Sequence, residues 1–119
     1  MKIFLNISNH PSSQWSLEQK NAALKIIGEG QIMDLPFPNV SPEATEEDIS
    51  AMADTLIKKI REINPEAMML QGEFTLSFAI LEKLNKEIDC YAATTQRNVI
   101  TEGDVKKVVF SFVKFRKYT

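Results

Sequence analysis

Between the first apolar run of the chain, KIFLNI, and its first helical pattern lies SNHPSSQWS, residues 8–16, which holds the only histidine and the only tryptophan among 119 residues. An imidazole is the side-chain type that titrates near neutrality, so His10 at the carboxyl end of a strand suits general acid or base work. Ser8, Asn9, Ser12, Ser13 and Gln14 surround it with hydroxyls and amides. Such groups suit phosphate or ribose oxygens beside a helix start without demanding a basic surface. A plainer reading stands next to this one: Asn9 and Ser16 simply turn and cap the chain. Trp15 likewise reads in two ways, as a lid on the core or as a stacking platform for a base.

Two further segments carry similar chemistry. In Gln71-Gly72-Glu73-Phe74-Thr75 a glycine permits close backbone approach where a helix begins, so the amides of Gly72 to Thr75 are placed to hold an oxyanion. Glu73 either stabilises the helix dipole from the first turn or, if it faces a ligand, accepts hydrogen bonds from a base or hydroxyl, or pairs with Arg97. Thr94-Thr95-Gln96-Arg97 supplies the only arginine of the three segments. Its forked donors match phosphate oxygens, the alternative being a surface residue at a turn. Lys106, Lys107, Lys114, Lys117 and Arg116 read most simply as solubilising charges along an exposed strand.

These segments must be positioned by regular elements. Lys2–Ser8 is a strand by its β-branched and aromatic content, ended by Asn-His-Pro. A helix starts near Leu17, where Ser16 and Gln19 have the form of a capping box, and stops at Gly28 and Gly30. QIMDL is a second strand, closed by PFP. The next helix is capped by Ser41 ahead of Pro42, or one turn later by Thr45 with Asp48. It buries Ile49, Met52, Ala53, Leu56, Ile57 and Ile60 and ends at Asn64-Pro65. AMMLQ is the third strand, GEF opens a helix facing inward with Leu76, Ala79, Ile80 and Leu84, and IDCYAATT is the fourth strand. Asn98–Thr101 and Val105–Tyr118 then flank the turn Glu102-Gly103-Asp104 as an antiparallel hairpin. The layout predicts one three-layer, Rossmann-like α/β domain over residues 1–119, with a mainly parallel four-stranded sheet extended by that hairpin. Ligands of such sheets bind beyond the carboxyl ends of the strands, and SNHPSSQWS, QGEFT and TTQR are expected there as loops. The loop after the second strand, PFPNVSPEA, is apolar enough to pack or to form a rim.

Composition narrows the function classes. Residues 97–119 carry six Lys/Arg against two Asp/Glu, leaving eight against fourteen for residues 1–96 and a net charge of -2. Long duplex nucleic acid, which needs a broad basic face, is not an expected partner. One cysteine, Cys90, excludes a disulfide framework, and one His with one Cys cannot build a zinc site within the chain, so neither a metal nor a cofactor is expected. No apolar stretch approaches the roughly 18 residues of a membrane span, and MKIFLNIS lacks the pattern of a signal peptide, which points to a reducing cytoplasm and no membrane partner. A Walker A loop and a GxGxxG fingerprint are both missing, and Ser12 or Ser13 beside His10 lacks nucleophile-elbow spacing.

With NISNHPSSQW after strand one, LQGEFT after strand three and AATTQR after strand four, the chain resembles the small single-domain proteins of type III CRISPR systems that are relatives of the CARF (CRISPR-associated Rossmann-fold) domains. The resemblance covers the whole chain in architecture and these three segments in motif. It implies a cyclic oligoadenylate ligand bound across a two-fold homodimer and, for the ring nucleases of the group, metal-independent cleavage by a ribose 2′-OH. His10 would then be general acid or base. Arg97 and the Gly72–Thr75 amides would steady the phosphorane-like charge. Glu73 would take a hydroxyl proton or an adenine amino contact. Ser8, Asn9, Ser12, Ser13, Gln14, Trp15, Gln71, Phe74, Thr94, Thr95 and Gln96 would complete the ligand set. The acidic balance of the chain and the lack of lysine in all three segments depart from that pattern. A sensor that binds without cutting, and an α/β adaptor that docks through its hairpin, are the competing classes.

Overall fold

The computed structural model describes residues 1–119 and contains three helices and one five-stranded mixed sheet of order β2-β1-β3-β4-β5. The strands are β1 (Lys2–Ser8), β2 (Gly30–Asp34), β3 (Ala67–Gln71), β4 (Asp89–Glu102) and β5 (Val105–Lys117), the first four parallel and β5 antiparallel to β4. The helices are α1 (Leu17–Ile27), α2 (Glu46–Ile63) and α3 (Phe74–Leu84). No helix is long and apolar enough to cross a membrane.

Local signals set most of these limits. The Ser16 hydroxyl accepts from the Gln19 amide, and Gly28 closes α1 with a φ of 85° that only glycine adopts at low cost. Thr45, not Ser41, caps α2: its hydroxyl accepts from the Asp48 amide while the Asp48 carboxylate accepts from the Thr45 amide. Asn64 in the left-handed region ends that helix ahead of Pro65.

Alternation along the strands divides the core in two. Leu5, Ile7, Met68 and Leu70 point to one face, where they meet Ile49, Leu56, Ile57 and Ile60 of α2 and Leu76, Ile80 and Leu84 of α3. Phe4 and Met69 point to the other, against Trp15, Ala23 and Ile27. By the same alternation, Asn6 and Ser8 lie on the α1 side of the sheet.

Two features depart from the sequence reading. The fourth strand and the first strand of the hairpin are one continuous 14-residue strand, so the sheet has five strands rather than six, and Thr94, Thr95, Gln96 and Arg97 are not a loop. Every one of these four has a partner on β5: Lys114, Phe112, Ser111 and Phe110 in turn. A solvated strand carries polar residues on both faces, which a reading by composition takes for a turn. A bulge between Thr94 and Thr95 lies three residues beyond the last pair that β4 makes with β3, Met69 with Tyr91.

The consequence is an arm. Pairing of β3 with β4 stops at Tyr91, and β4 continues to Glu102 paired only with β5, at about 3.3 Å per residue. The radius of gyration, 15.8 Å, exceeds the roughly 13.5 Å of a compact chain of this length for that reason. Gly103 and Asp104 make the turn, with Gly103 at a φ of 62°.

Candidate functional site

The first loop is held by a buried polar network. Asn6, 2% exposed, donates from Nδ2 to the His10 carbonyl at 2.8 Å and to Asp34 Oδ1 at 3.0 Å, while its Oδ1 accepts from the Ser8 hydroxyl at 2.8 Å. The His10 amide donates to Ser8 Oγ at 3.2 Å. Asp34, from the end of β2, accepts from both the amide and the hydroxyl of Ser12 at 3.1–3.2 Å and so fixes the 3₁₀ turn Ser12–Gln14. The bonds that reach His10 do so through its backbone, and its imidazole is left exposed.

Beside that imidazole lies a cleft of about 530 Å³ over the carboxyl ends of β1 and β3. It brings together Ser8, Asn9, His10, Gln14 and Trp15 from the first segment, Gln71 from the second and Thr95 from the third. Met69 and Ala93 add to its lining, as do Gln19 of α1 and Phe110 of β5. The Gln19 amide reaches Met69 Sδ at 3.7 Å, a weak contact. The sequence gives Gln19 only as half of a capping box and gives Phe110 no role, because Phe110 is far in sequence from the loops it faces. No Asp, Glu, Lys or Arg lines the cleft.

Several expected ligand groups are committed elsewhere. The Gln71 side chain accepts from the Ala93 amide at 2.7 Å and donates to the Ala93 carbonyl at 3.4 Å, so it stands in for a strand pair where β3 has ended. A Cβ on Gly72 would lie 2.5 Å from the ring of Phe37, which is buried over it. The close approach that glycine permits is therefore made by the loop after β2, not by a ligand. The start of α3 is filled as well: both oxygens of Glu73 accept from the Thr75 hydroxyl at 2.7 Å, and the Leu76 and Thr75 amides each donate to one of them at 2.9 Å. Of the Gly72–Thr75 amides, that of Thr75 is thus taken, and a carboxylate from within the chain sits at the helix N-terminus where an oxyanion was expected.

Most of the remaining candidates lie outside the cleft. Ser13 and Gln96 are exposed, Phe74 is 89% exposed at the head of α3, and the Thr94 hydroxyl bonds to the Lys114 backbone at the bulge. Arg97 is exposed opposite Phe110, hence on the cleft-facing side of the arm and two residue pairs beyond Thr95. Trp15 is mostly core: it is 7% exposed among Phe4 and Phe115, with centroids 6.3 and 6.0 Å away, and its indole N–H has no acceptor there. A second hollow of about 520 Å³ between α2 and α3 is lined by Asp54, Lys58, Arg61 and Lys83, among others. Two of its cations are neutralised within the chain, Arg61 by Glu87 and Lys83 by Asp54, and the hollow offers no unpaired chemistry comparable to His10.

Two acidities follow from packing. Burial pushes the Cys90 thiol up to about 12, so it is an inert core group. The Thr75 hydroxyl, then the Leu76 and Thr75 amides, hold the Glu73 carboxyl below its usual range. A carboxyl depressed in the folded state stabilises above the unfolded-chain value and loses that contribution as pH falls through the folded one. Glu73→Gln is therefore expected to melt below the parent at neutral pH, with the gap closing as the pH falls through the lowered folded-state value of the carboxyl. Thermal melts at neutral and at acid pH check this, and a gap independent of pH would assign the effect to packing instead.

No curated protein and no solved structure matches the chain. A family model described as the uncharacterized protein MJ1673 family matches residues 2–116, nearly the full sequence. By that match the chain belongs to the MJ1673 family.

Proposed function

We propose that the protein binds a cyclic oligoadenylate and opens it to a linear product without a metal, as a ring nuclease of type III CRISPR signalling. The observation that carries this reading is the exposed imidazole of His10 in an otherwise uncharged cleft that spans the carboxyl ends of β1 and β3. A Rossmann-like, three-layer description is supported by the strand order β2-β1-β3-β4 with apolar clusters on both faces of the sheet. Strand order reverses between β1 and β3, the point where such sheets take ligands.

In this scheme a ribose 2′-oxygen attacks its adjacent phosphorus and the bond from phosphorus to the 5′-oxygen breaks. The products are a 2′,3′-cyclic phosphate and a 5′-hydroxyl. The proton lost by the 2′-hydroxyl balances the one gained by the 5′-oxygen, and no water or oxidant enters. His10 serves this proton transfer. Glu73 is engaged at the head of α3, which leaves the role to the imidazole alone. Arg97, on the cleft side of the arm, would steady the phosphoryl charge. A homodimer would supply a second His10 and a second Arg97 to a two-fold symmetric ring.

A binder that does not cut is the second reading, favoured by the lack of any Lys or Arg in the cleft lining. Incubation with cyclic tetra- and hexa-adenylate in chelator, followed by separation of products, decides between them. Linear product in chelator is the expected result. Tight binding without product leaves the sensor, and failure to bind either ring by a monomeric protein leaves the adaptor.

A further inference from the structure

The cleft has the wrong chemistry for a phosphate and the right chemistry for a base. A phosphate site draws on cations or on free helix N-terminal amides. The cleft lining holds neither: it contains no Asp, Glu, Lys or Arg, and the nearby head of α3 is closed by Glu73. What it offers instead is an aromatic ring and two carboxamides. Phe110 projects from the arm with 64% of its surface exposed, although it lines the cleft, and it makes no aromatic pair within the chain. Gln14 is exposed on the 3₁₀ turn, and Gln19 has only the weak contact to sulfur described above. Gln71, by contrast, spends its amide on Ala93 and is not available.

From this arrangement we infer that the cleft is a nucleobase pocket, in which an adenine stacks on Phe110 and presents its edge to the amides of Gln14 and Gln19. Glutamine pairs with adenine through both N6 and N7, donor to acceptor and acceptor to donor. Stacking on an aromatic ring needs no charge, which fits an acidic chain. The phosphates of the same ligand then lie outside the cleft, toward Arg97 on the arm, and His10 stands at the border between base and backbone. The inference rests on the ring-nuclease reading for its choice of adenine, and it assigns to Phe110 and Gln19 a role in selecting the ligand.

Trp15 is the only tryptophan and lines the cleft, so its emission reports occupancy. Titration with adenosine monophosphate is expected to give a saturable change that ribose 5-phosphate does not. Phe110→Ala should weaken that binding about five- to hundredfold, the span that base stacking supplies on alanine substitution, while Phe110→Tyr retains it. Because Phe110 is largely exposed, both variants are expected to melt like the parent. Equal responses to the two probes, no response to adenosine monophosphate at millimolar concentration, or unchanged affinity in Phe110→Ala would each overturn the base pocket. Cyclic tetra-adenylate titrated in parallel separates the two proposals. A ring bound equally by parent and Phe110→Ala removes the base pocket and spares the ring reading. Adenosine monophosphate bound through Phe110, with no ring bound, removes the ring reading and spares the pocket.

Discussion

His10→Ala is expected to slow opening of cyclic tetra-adenylate by about 10²- to 10⁴-fold, the usual worth of a positioned acid or base, with ring affinity kept within a few-fold. No other residue lining the cleft carries an acidic or basic side chain, so nothing stands ready to replace the imidazole. The loop should survive the substitution, because Asn6 and Ser8 grip the His10 carbonyl and amide rather than its ring. Loss of rate therefore reports lost chemistry and not a collapsed loop. Single-turnover cleavage with radiolabelled ring, together with a binding titration of the same variant, separates the two quantities. Parent-like turnover in His10→Ala would remove His10 from the reaction.

Gly72→Ala is expected to cost about 2–3 kcal/mol, at the upper end of ordinary overpacking, and to lower the melting temperature by roughly 6–15 °C. The reason is steric, not conformational, since Gly72 is not among the residues of positive φ. An added methyl carbon would sit 2.5 Å from two ring carbons of Phe37, which is 6% exposed and belongs to the larger core cluster. The ring cannot retreat without opening that cluster. Displacing it also loosens the loop after β2, where the Phe37 amide donates to the Ser8 carbonyl at 3.2 Å, and so reaches the site. A smaller side chain at position 37 should relieve the clash: Gly72→Ala combined with Phe37→Leu is expected to lose less stability than the two single changes added together. Strict additivity in denaturant unfolding would show that the two residues do not meet.

The family match by itself assigns no chemistry, and the proposed function comes from the cleft and not from kinship. Two kinds of polar residue stand in the same segments. Asn6, Ser8, Ser12, Asp34, Gln71 and Glu73 are consumed in holding the fold. His10 and Gln14 are exposed beside the cleft, and Gln19 keeps only its weak sulfur contact. The second group, with exposed Asn9, Thr95 and Arg97, is free to meet a ligand.

Which elements form was legible from the chain alone, because their signals are local. β1 ends at Ser8 before Asn-His-Pro, Ser16 caps α1, Thr45 and Asp48 box the start of α2, Asn64 stops it, and Gly103 turns the hairpin. Each of these is a bond or a backbone angle within four residues, and short windows of sequence record such interactions fully. The convergence of Ser8, His10, Gln71 and Thr95 was also foreseeable, since parallel strands bring their carboxyl ends to one edge.

Tertiary structure alone decided the rest. TTQR became strand because β5 pairs with it, Gly72 met Phe37 and not a ligand, Asp34 reached back to Ser12, and Phe110 came to wall the cleft from 100 residues beyond His10. These contacts join segments far apart in the chain. Their strength comes from complementary surfaces that exist only once the sheet has assembled, so no local pattern encodes them.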